Sequence, residues 1–379
     1  MNFEEHAAKA LLGERGLPIP RGMVVLDVAA AAEAAQTLDG RCIVKAQAPT
    51  GKRGKAGGIR LANSVVEAEE AAAAILGMEI AGHTIERLLI EEQVPIAREL
   101  YAAVLNDPAS RGPVVLFSTM GGMEVEEAAE EDPDAMQRIV VDIARGLTRD
   151  QALSVLSSSD LDGRRDAIAD FLVSLYDAYR DLDADLLEIN PLVLTDDGRA
   201  IALDCKYTLD DSSVGRQADI ALGGSPDPMS PLETEAHAND LKYIELGGEV
   251  GVLANGAGLT MTTMDAITHY GGAPANFLEI GGEAYTKAET ALTILLKNTN
   301  IKSLLVNFCG AFARTDVMAG GVVEAWKKLD PAIPIFFTIH GTGEEEAIEL
   351  VKRELGQEPF DLMDDAVRAA VQAAQGDAG

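Results

Sequence analysis

The sequence predicts a mixed α+β region over about its first 230 residues, followed by an α/β region with a doubly wound parallel sheet. Strands and helices are mixed in the first region and alternate regularly in the second, which predicts this order. Residues 223–231 are rich in Gly, Pro and Ser and mark the boundary between the regions. The chain has 379 residues, 47% of them hydrophobic, which suffices for two or three globular domains.

The N-terminal region is expected to form more than one lobe, because its helices and strands follow no single repeat. Helices are predicted where apolar residues recur at helical spacing, at residues 3–15, 28–38, 64–77, 132–146 and 163–180. Strands are predicted at the apolar runs 42–47, 88–92, 100–105 and 114–118, with a hairpin at 186–206. Asp27 and Asn63 are expected to cap the second and third helices through their side-chain oxygens.

The C-terminal region shows a regular succession of strand, turn and helix. Short apolar runs, each followed by a Gly-containing turn and a stretch with helical spacing, lie at residues 250–254, 275–280, 304–308 and 333–339. This alternation predicts βαβ units and a parallel sheet with helices on both faces. The Gly-containing turns then share the edge at the carboxyl ends of the strands, where such sheets bind ligands.

The composition narrows the class of protein. Asp and Glu number 62 against 31 Lys and Arg, and the net charge of −31 disfavours binding to nucleic acid. The three cysteines have neither disulfide-framework nor metal-ligand spacing. The first residues lack a signal-peptide pattern, and there is no run of about 18 apolar residues. We therefore expect a cytoplasmic protein that does not enter a membrane.

Residues 45–58 are the most unusual stretch, with four cations and four glycines in an otherwise acidic protein. A Gly-rich loop presents backbone N–H groups to phosphate oxygens, and Lys45 on the preceding strand would reach the same phosphates. The spacing differs from that of a Walker A loop. The segment therefore predicts phosphate binding, with a basic surface turn as the alternative.

The hairpin predicted at residues 186–206 brings hard oxygen ligands together. A three-residue turn at 196–198 sets its register, which places Asn190 opposite Asp204. Glu188 lies on the same face as Asn190, since strand side chains alternate. Carboxylate and amide oxygens suit Mg²⁺, which takes few protein ligands and completes its shell with water and phosphates. A solvated hairpin face is the alternative interpretation.

Other candidate residues lie in both regions. Glu91 and Glu99 would hold ribose hydroxyls or the adenine edge if a nucleotide lies beside them, and would otherwise be solvated. Residues 255–258 match only the first part of a dinucleotide-binding fingerprint. The loop 310–316 opens a helix and offers Arg314 to a phosphate or a carboxylate. No pair of nucleophile and base is visible in the sequence.

These motifs together resemble the β-subunit family of succinyl-CoA synthetase, an acid–thiol ligase that forms ADP or GDP. The resemblance covers nearly the whole chain and is carried by residues 54–58, 98–101, 188–192, 203–206, 255–259, 275–278 and 305–307. It implies an ATP-grasp domain over residues 1–230, followed by a CoA-ligase domain of flavodoxin-like topology over residues 240–379.

The resemblance also implies roles for individual residues. Those implied to bind ATP or GTP are Lys45, Lys52, Arg53, Gly54, Glu91, the backbone at Val94, and Glu99. Asn190 and Asp204 are implied to bind Mg²⁺, and Glu188 is implied to act in catalysis beside a phosphorylated histidine of a partner. Those implied to bind the carboxylic acid and the phosphoryl group are Asn255, Ala311, Phe312 and Ala313.

The implied reaction requires a second subunit. A small carboxylic acid, CoA and ATP would form an acyl-CoA through an acyl phosphate and a phosphohistidine on an α subunit, which also holds the CoA site. The acid-side loop 310–316 departs from the usual pattern of the family, so subunits of malate–CoA ligase and citryl-CoA synthetase are alternatives. The alternative from a different class is a subunit that binds nucleotide for assembly or regulation, without turnover.

Overall fold

The structure is a computed structural model that describes residues 1–51, 53–122, 136–161, 163–281 and 284–376. Lys52, one of the residues implied to bind nucleotide, lies outside the described residues. The chain divides into two units, Met1–Asp227 and Pro228–Gly379. Across the described ranges, no helix is both long enough and apolar enough to cross a membrane.

The N-terminal unit is built from antiparallel sheets and the helices that cover them. In chain order its strands are β1 (Asn2–Phe3), β2 (Gly22–Val25), β3 (Cys42–Ala46), β4 (Ile59–Ala62), β5 (Glu79–Ile80), β6 (His83–Thr84), β7 (Leu88–Glu92), β8 (Arg98–Asp107), β9 (Gly112–Ser118), β10 (Met136–Val140), β11 (Ala184–Leu194), β12 (Ala200–Ala202), β13 (Lys206–Leu209) and β14 (Gly224–Ser225). Its α-helices are α1 (Glu5–Glu14), α2 (Val28–Thr37), α3 (Val65–Ile75), α4 (Arg149–Val155), α5 (Arg165–Asp181) and α6 (Ala218–Ala221).

Two main sheets organise the described part of this unit. The smaller sheet has the order β2-β7-β3-β4, and α2 and α3 pack on it through small residues such as Ala31 and Ala72. The larger sheet has the order β10-β9-β8-β11-β13-β1-β14, with β12 paired to β11, and its core includes Phe171 and Leu175 of α5. These two sheets with their helices confirm the α+β prediction. They place β3 and β7 at the centre of one sheet and β11 at the centre of the other.

The helix predicted at residues 132–146 is wrong where the structure describes it. Residues Met136–Val140 form β10, which pairs antiparallel with β9 and matches Met136 to Ser118. Ile139 is buried in the core of the larger sheet whereas Val140 is exposed, as expected for successive residues of a strand. Pairing with β9 therefore outweighs the local helical pattern. Residues 123–135 lie outside the described residues.

One of the two predicted helix caps is correct and the other is wrong. Asp27 Oδ1 accepts a hydrogen bond from the N–H of Ala30 at 2.8 Å, as predicted. Helix α3 is capped by Ser64 rather than Asn63, because Ser64 Oγ accepts the N–H of Glu67 at 3.2 Å. The Glu67 carboxylate in turn accepts the backbone N–H of Asn63 at 2.8 Å. The local sequence offers two adjacent polar residues, and backbone geometry selects the second.

The C-terminal unit contains the predicted parallel sheet. Its strands are β15 (Lys242–Glu245), β16 (Val250–Ala254), β17 (Asn276–Glu279), β18 (Ser303–Gly310) and β19 (Ile335–Gly341). Its helices are α7 (Pro231–Ala238), α8 (Ala257–His269), α9 (Ala284–Lys297), α10 (Thr315–Leu329), α11 (Glu344–Leu355) and α12 (Met363–Gln375). The strand order is β15-β17-β16-β18-β19, in which β16 to β19 are parallel and β15 is antiparallel to β17.

Helices cover both faces of this sheet, which confirms the doubly wound prediction. Helices α9, α10 and α11 bury residues such as Leu292 on one face, and α8 and α12 bury residues such as Ile267 on the other. The sequence analysis missed β15, a short edge strand in which buried Tyr243 is flanked by exposed residues. Four residues with one buried side chain give too short an alternation to recognise.

The Ser64 cap is testable by a single substitution. Ser64→Ala should lower the free energy of unfolding by about 1 kcal/mol, because the N–H of Glu67 loses its acceptor. Asn63→Ala is the matched control, since it removes the neighbouring polar side chain and leaves the Ser64 hydroxyl in place. Urea unfolding followed by circular dichroism measures both variants. A larger loss for Asn63→Ala than for Ser64→Ala would contradict this cap.

Candidate functional site

A cluster of buried charges lies between the two main sheets of the N-terminal unit. We call it the Glu5 cluster, and its members are Glu5, Lys9, Lys45, Arg53, Glu91 and Asp204. They lie on α1, on β3 and β7, in the Gly-rich loop and in the turn before β13. Three cations face three carboxylates, and five of the six side chains are no more than 7% exposed. Such charges are stable in a protein interior only when they are paired.

Lys45 and Lys9 are held by the same three groups. The Nζ atom of Lys45 has three oxygen partners, each at 2.7 Å: Glu5 Oε1, Glu91 Oε2 and the carbonyl oxygen of Leu203. The Nζ atom of Lys9 has the matching set: Glu5 Oε1 at 2.8 Å, Glu91 Oε1 at 2.6 Å and the same Leu203 oxygen at 2.6 Å. Each lysine thus donates two hydrogen bonds, one to a carboxylate and one to the Leu203 carbonyl oxygen, and forms an ion pair with the other carboxylate.

Arg53 connects the Gly-rich loop to the rest of the cluster. Its Nη1 atom donates to Glu5 Oε2 at 2.7 Å and to the carbonyl oxygen of Ala46 at 3.1 Å. Its Nη2 atom donates to both carboxylate oxygens of Asp204, at 2.8 and 2.9 Å. The N–H of Cys205 also donates to Asp204 Oδ1, at 2.7 Å. The rigid fork of a guanidinium suits this pair of acidic partners better than an ammonium would.

The charges of the cluster reinforce one another. Burial alone would raise the pKa of the Glu5 carboxyl, but Lys45, Lys9 and Arg53 outweigh it and hold that pKa well below its ordinary value. Burial alone would lower the pKa values of Lys45 and Arg53, but Glu5 and the other carboxylates of the cluster raise both. Glu5, Lys45 and Arg53 are therefore charged at neutral pH.

The predicted hairpin register is confirmed where its strands pair. Strand β12 pairs with β11 by matching Leu192 to Ala202. Strand β13 continues the same alignment farther along β11. Asn190 and Asp204 therefore lie opposite each other in the interval between β12 and β13, and both line one cavity. A turn of three residues was sufficient to predict this register from the sequence.

The cavity beside this hairpin has a volume of about 130 Å³ and is lined by Glu188, Asn190, Asp204 and Arg53, among others. Asn190 Oδ1 accepts the N–H of Gly122 at 2.8 Å, which fixes the orientation of its amide. The cavity is thus large enough for an ion with some of its water.

The residues implied to bind nucleotide differ in exposure. The buried ones are Lys45, Arg53 and Glu91, the half-buried one is Val94, and the exposed ones are Gly54 and Glu99. The alternative that Glu91 is solvated is wrong, because its carboxylate is buried between Lys9 and Lys45. The expectation that the Gly-rich loop is only a basic surface turn is also wrong for Arg53, which is buried.

Glu5 and Lys9 are functional-site candidates that the sequence analysis missed. They lie four residues apart on α1, on the same face as buried Ala8 and Leu12. Two opposite charges on the apolar face of a helix are a readable sequence signal, because such residues are rarely buried unless they are paired. The pattern would have identified them as buried, although it does not reveal their partners.

Asn255 follows β16 at the carboxyl edge of the C-terminal sheet. Its Nδ2 atom donates to the carbonyl oxygen of Cys309 at 2.8 Å, and its Oδ1 atom accepts the N–H of Cys309 at 2.8 Å. The next residue, Gly256, has a φ of 93°, which favours glycine, and it caps α8. Asn255 therefore joins the ends of β16 and β18 and positions the first N–H groups of α8.

Residues 311–313 connect β18 to α10 at the same edge. The Phe312 side chain is fully exposed, and the hydroxyl of Thr342 donates to the carbonyl oxygen of Ala311 at 3.0 Å. Arg314, which is expected to be available to an anion, donates in this structure to both oxygens of Asp316 at 2.9 and 3.1 Å. The loop thus presents an exposed aromatic side chain beside a half-exposed Arg314–Asp316 ion pair.

Each of the two units matches a known family of protein domains. Residues 2–194 match the family model described as an ATP-grasp domain, and residues 253–373 match the one described as CoA-ligase. The β subunit of an ADP-forming succinate–CoA ligase from Rubrobacter xylanophilus is 43% identical over 381 residues, which cover 99% of both chains. This chain belongs to the succinate–CoA ligase β-subunit family. The resemblance found in the sequence and the predicted fold class are therefore confirmed.

Other members and neighbours of the succinate–CoA ligase β-subunit family extend this comparison. The β subunit of a GDP-forming succinate–CoA ligase from Thermus thermophilus is 40% identical over 355 residues, 93% of each chain. A solved structure of ATP citrate lyase from Methanothrix soehngenii in complex with citrate and coenzyme A matches with a TM-score of 0.67 at 25% identity. That match covers 98% of this chain and 99% of the other.

The Glu5 cluster predicts a pH-dependent stability. Glu5→Gln should lower the free energy of unfolding at pH 7 by about 3–5 kcal/mol, because it breaks a buried set of ion pairs. The folded-state pKa of Glu5 lies below its ordinary value of 4.5, so the ionised carboxylate stabilises the protein above about pH 4.5. That contribution disappears as the pH falls through the folded-state pKa.

The difference between wild type and Glu5→Gln should therefore be largest near pH 7 and should shrink below about pH 4.5. Glu14→Gln on the same helix is the control, since Glu14 is exposed. Denaturant unfolding at a series of pH values measures both. Equal stabilities of the two variants at pH 7 would contradict the structural role assigned to Glu5.

Proposed function

We propose that the chain is the β subunit of a succinate–CoA ligase, which forms an acyl-CoA from a small carboxylic acid, CoA and ATP or GTP. The observation that carries this proposal is the relationship to the Rubrobacter subunit over 99% of both chains. We propose an ATP-grasp domain over residues 1–230 and a CoA-ligase domain over residues 240–379. A cytoplasmic location agrees with the three free cysteines, which suit a reducing compartment.

The nucleotide phosphates are proposed to bind at the cationic side of the Glu5 cluster. Lys45 and Arg53 are the buried cations there, and Lys52 and Gly54 belong to the same Gly-rich loop. Arg53 and Asp204 pair with each other in the free protein. A nucleotide with its metal ion offers each a new partner, because phosphate attracts the guanidinium and the cation attracts the carboxylate.

The base and the ribose are proposed to bind along the segment that follows β7, through the backbone at Val94 and the side chain of Glu99. Val94 lies half-buried between β7 and β8, and Glu99 is exposed near the start of β8. Glu91 belongs to the same site, but its carboxylate already has two lysine partners. We therefore assign Glu91 to the support of the site more than to direct contact with the ribose.

Asn190 and Asp204 are proposed to hold Mg²⁺. The residues present fit this ion, because the hairpin presents carboxylate and amide oxygens to a cavity of ionic size. No cluster of three or more His, Cys, Asp or Glu able to hold a metal is found among the described residues. That matches an ion with few protein ligands and a shell completed by water and phosphate. When bound, the ion would neutralise phosphate charge and orient the nucleotide.

The acid side of the reaction is proposed to lie at the edge of the C-terminal sheet. Asn255 and residues 311–313 are the residues assigned to the acid and the phosphoryl group, and helix N-termini at this edge favour anions. An α subunit is the proposed partner, and it would carry the phosphorylated histidine and the CoA site. Glu188 would lie beside that histidine during phosphoryl transfer. This chain contributes no nucleophile to the proposed reaction.

A larger or hydroxylated acid is the second candidate substrate. The match to the ATP citrate lyase structure with citrate and coenzyme A favours it. The exposed Phe312 also favours it, because an aromatic side chain in the acid-side loop changes the shape of the pocket. Malate–CoA ligase and citryl-CoA synthetase subunits therefore remain the alternatives to a succinate-specific enzyme. A change of one side chain in a substrate pocket typically changes the difference in transition-state binding between two acids by about 1–3 kcal/mol.

Dependence on the partner is the first test of the proposed function. The isolated chain should bind Mg–ADP and form no acyl-CoA, because the proposed phosphohistidine lies on the α subunit. The complex co-expressed with an α-type subunit should release ADP in a CoA-dependent manner. A screen of succinate, malate and citrate by kcat/KM then identifies the acid. Acyl-CoA formation by the purified single chain would contradict the proposal.

The metal site has a separate test in the complex. Asp204→Asn should raise the Mg²⁺ concentration for half-maximal activity by about tenfold or more, because it removes a charged ligand. Asp196→Asn is the control, since Asp196 is exposed in the turn of the same hairpin. Magnesium titration of activity, with calorimetric binding of Mg–ADP, measures both variants. An unaltered titration for Asp204→Asn would exclude Asp204 as a ligand.

A further inference from the structure

The Glu5 cluster contains two lysines where the proposed nucleotide site requires only one. Lys9 and Lys45 lie on different elements, α1 and β3, yet both bind Glu5 Oε1, the Glu91 carboxylate and the Leu203 carbonyl oxygen. Their side chains are 4% and 7% exposed. A duplicate cation at full burial is unusual, because each buried charge must be separately desolvated.

The proposed function gives the second lysine of the cluster a role, and this inference rests on that function. Lys45 donates hydrogen bonds to Glu5 Oε1 and to the Leu203 carbonyl oxygen and forms an ion pair with Glu91, each at 2.7 Å, so acceptors surround its ammonium group in the free protein. Lys45 must therefore release at least one acceptor before it can donate to a nucleotide phosphate. If Lys45 were the only lysine present, Glu91 would then be left without either of its cations. A buried carboxylate without a partner is strongly destabilising.

We propose that Lys9 is a positioning residue that keeps Glu5 and Glu91 paired when Lys45 moves to the nucleotide phosphate. Lys9 already contacts both carboxylates, at 2.8 and 2.6 Å, so no rearrangement of α1 is required. The exchange breaks and forms only ion pairs and hydrogen bonds. Lys45 gains a phosphate oxygen, and Lys9 retains the acceptors that Lys45 gives up.

The charge balance supports this exchange. In the free protein, three cations of the cluster face three carboxylates. When Lys45 binds phosphate and Asp204 binds the metal ion, Glu5 and Glu91 remain with Lys9 and Arg53. Arg53 still donates to Glu5 through Nη1, whereas Nη2 becomes free for phosphate. Two buried cations then balance two buried carboxylates, so nucleotide binding leaves no uncompensated charge in the interior.

A double-mutant cycle in the full-length chain tests the proposal by nucleotide affinity. The variants are Lys9→Met, Lys45→Met and their combination, and the probe is Mg–ADP measured by isothermal titration calorimetry. Lys9→Met should raise the Kd about 100-fold, because Lys45 then stays with the carboxylates. In the Lys45→Met background the same change should alter the Kd by no more than about twofold, since no lysine has to be released.

The controls separate this exchange from a general loss of structure. Lys9→Arg should keep the affinity within about twofold, because a guanidinium still pairs both carboxylates. Arg149→Met removes an exposed ion-pair residue of the same unit and should leave the Kd unchanged. Equal weakening by Lys9→Met in both Lys45 backgrounds would show a purely structural role and overturn the proposal. Wild-type affinity for Lys9→Met would overturn it as well.

The remaining outcomes are also decisive. Unchanged affinity for Lys45→Met would refute the phosphate-binding role of Lys45 in the proposed function, which is a different result from failure of the exchange. If Lys9→Met does not fold whereas Lys45→Met does, the lysines are not interchangeable in the free protein and the proposal fails. If neither methionine variant folds, or the combined variant does not, Lys9→Arg decides the question, and a loss beyond about twofold overturns the proposal.

Discussion

The carboxylate of Glu5 is the interaction on which the N-terminal unit depends. It is fully buried, and it binds Lys9, Lys45 and Arg53 at 2.7–2.8 Å. These partners come from α1, from the smaller sheet and from the Gly-rich loop, so one side chain fixes three elements that carry or support the proposed nucleotide site. Replacing Glu5 by a neutral residue would leave these cations without their shared carboxylate, which is strongly destabilising for buried charges. In the free protein, Glu5 thus holds in place the two cations that are proposed to bind phosphate, Lys45 and Arg53.

Local signals were sufficient for much of the fold. The parallel sheet of the C-terminal unit followed from apolar runs and Gly-containing turns, and the register of β11 with β12 followed from the turn at residues 196–198. These local sequence patterns failed where contacts between residues far apart in the sequence determine the structure. Strand β10 forms because β9 lies beside it. Lys9 finds its acceptor Leu203 across 194 positions of sequence, which no local pattern reveals. The site was predictable as a set of candidate residues, but its ion-pair network was not.

The two proposed binding regions, one in each unit, are held in place by different interactions. The nucleotide side relies on buried ions that hold one another in place, as the low pKa of Glu5 reflects. The acid side relies on backbone hydrogen bonds, in which the Asn255 amide binds both polar groups of Cys309. The Phe312 side chain in this region is exposed, so the packing of the protein core does not depend on it. Substitutions on the acid side should therefore change selectivity at little cost in stability, whereas substitutions in the Glu5 cluster affect both.

The shared acceptor Leu203 has a consequence for how the protein is made. Synthesis of the 194 residues that follow Lys9, up to and including Leu203, takes about 10–40 s at typical ribosomal rates. During that interval Glu5 and Glu91 become available to the lysines, but the Leu203 carbonyl oxygen does not yet exist. Strand β1 likewise cannot pair until its two neighbours in the sheet, β13 and β14, have been synthesised. Such distant contacts slow folding. The buried ion-pair network around α1 can therefore be completed only after most of the N-terminal unit has been synthesised.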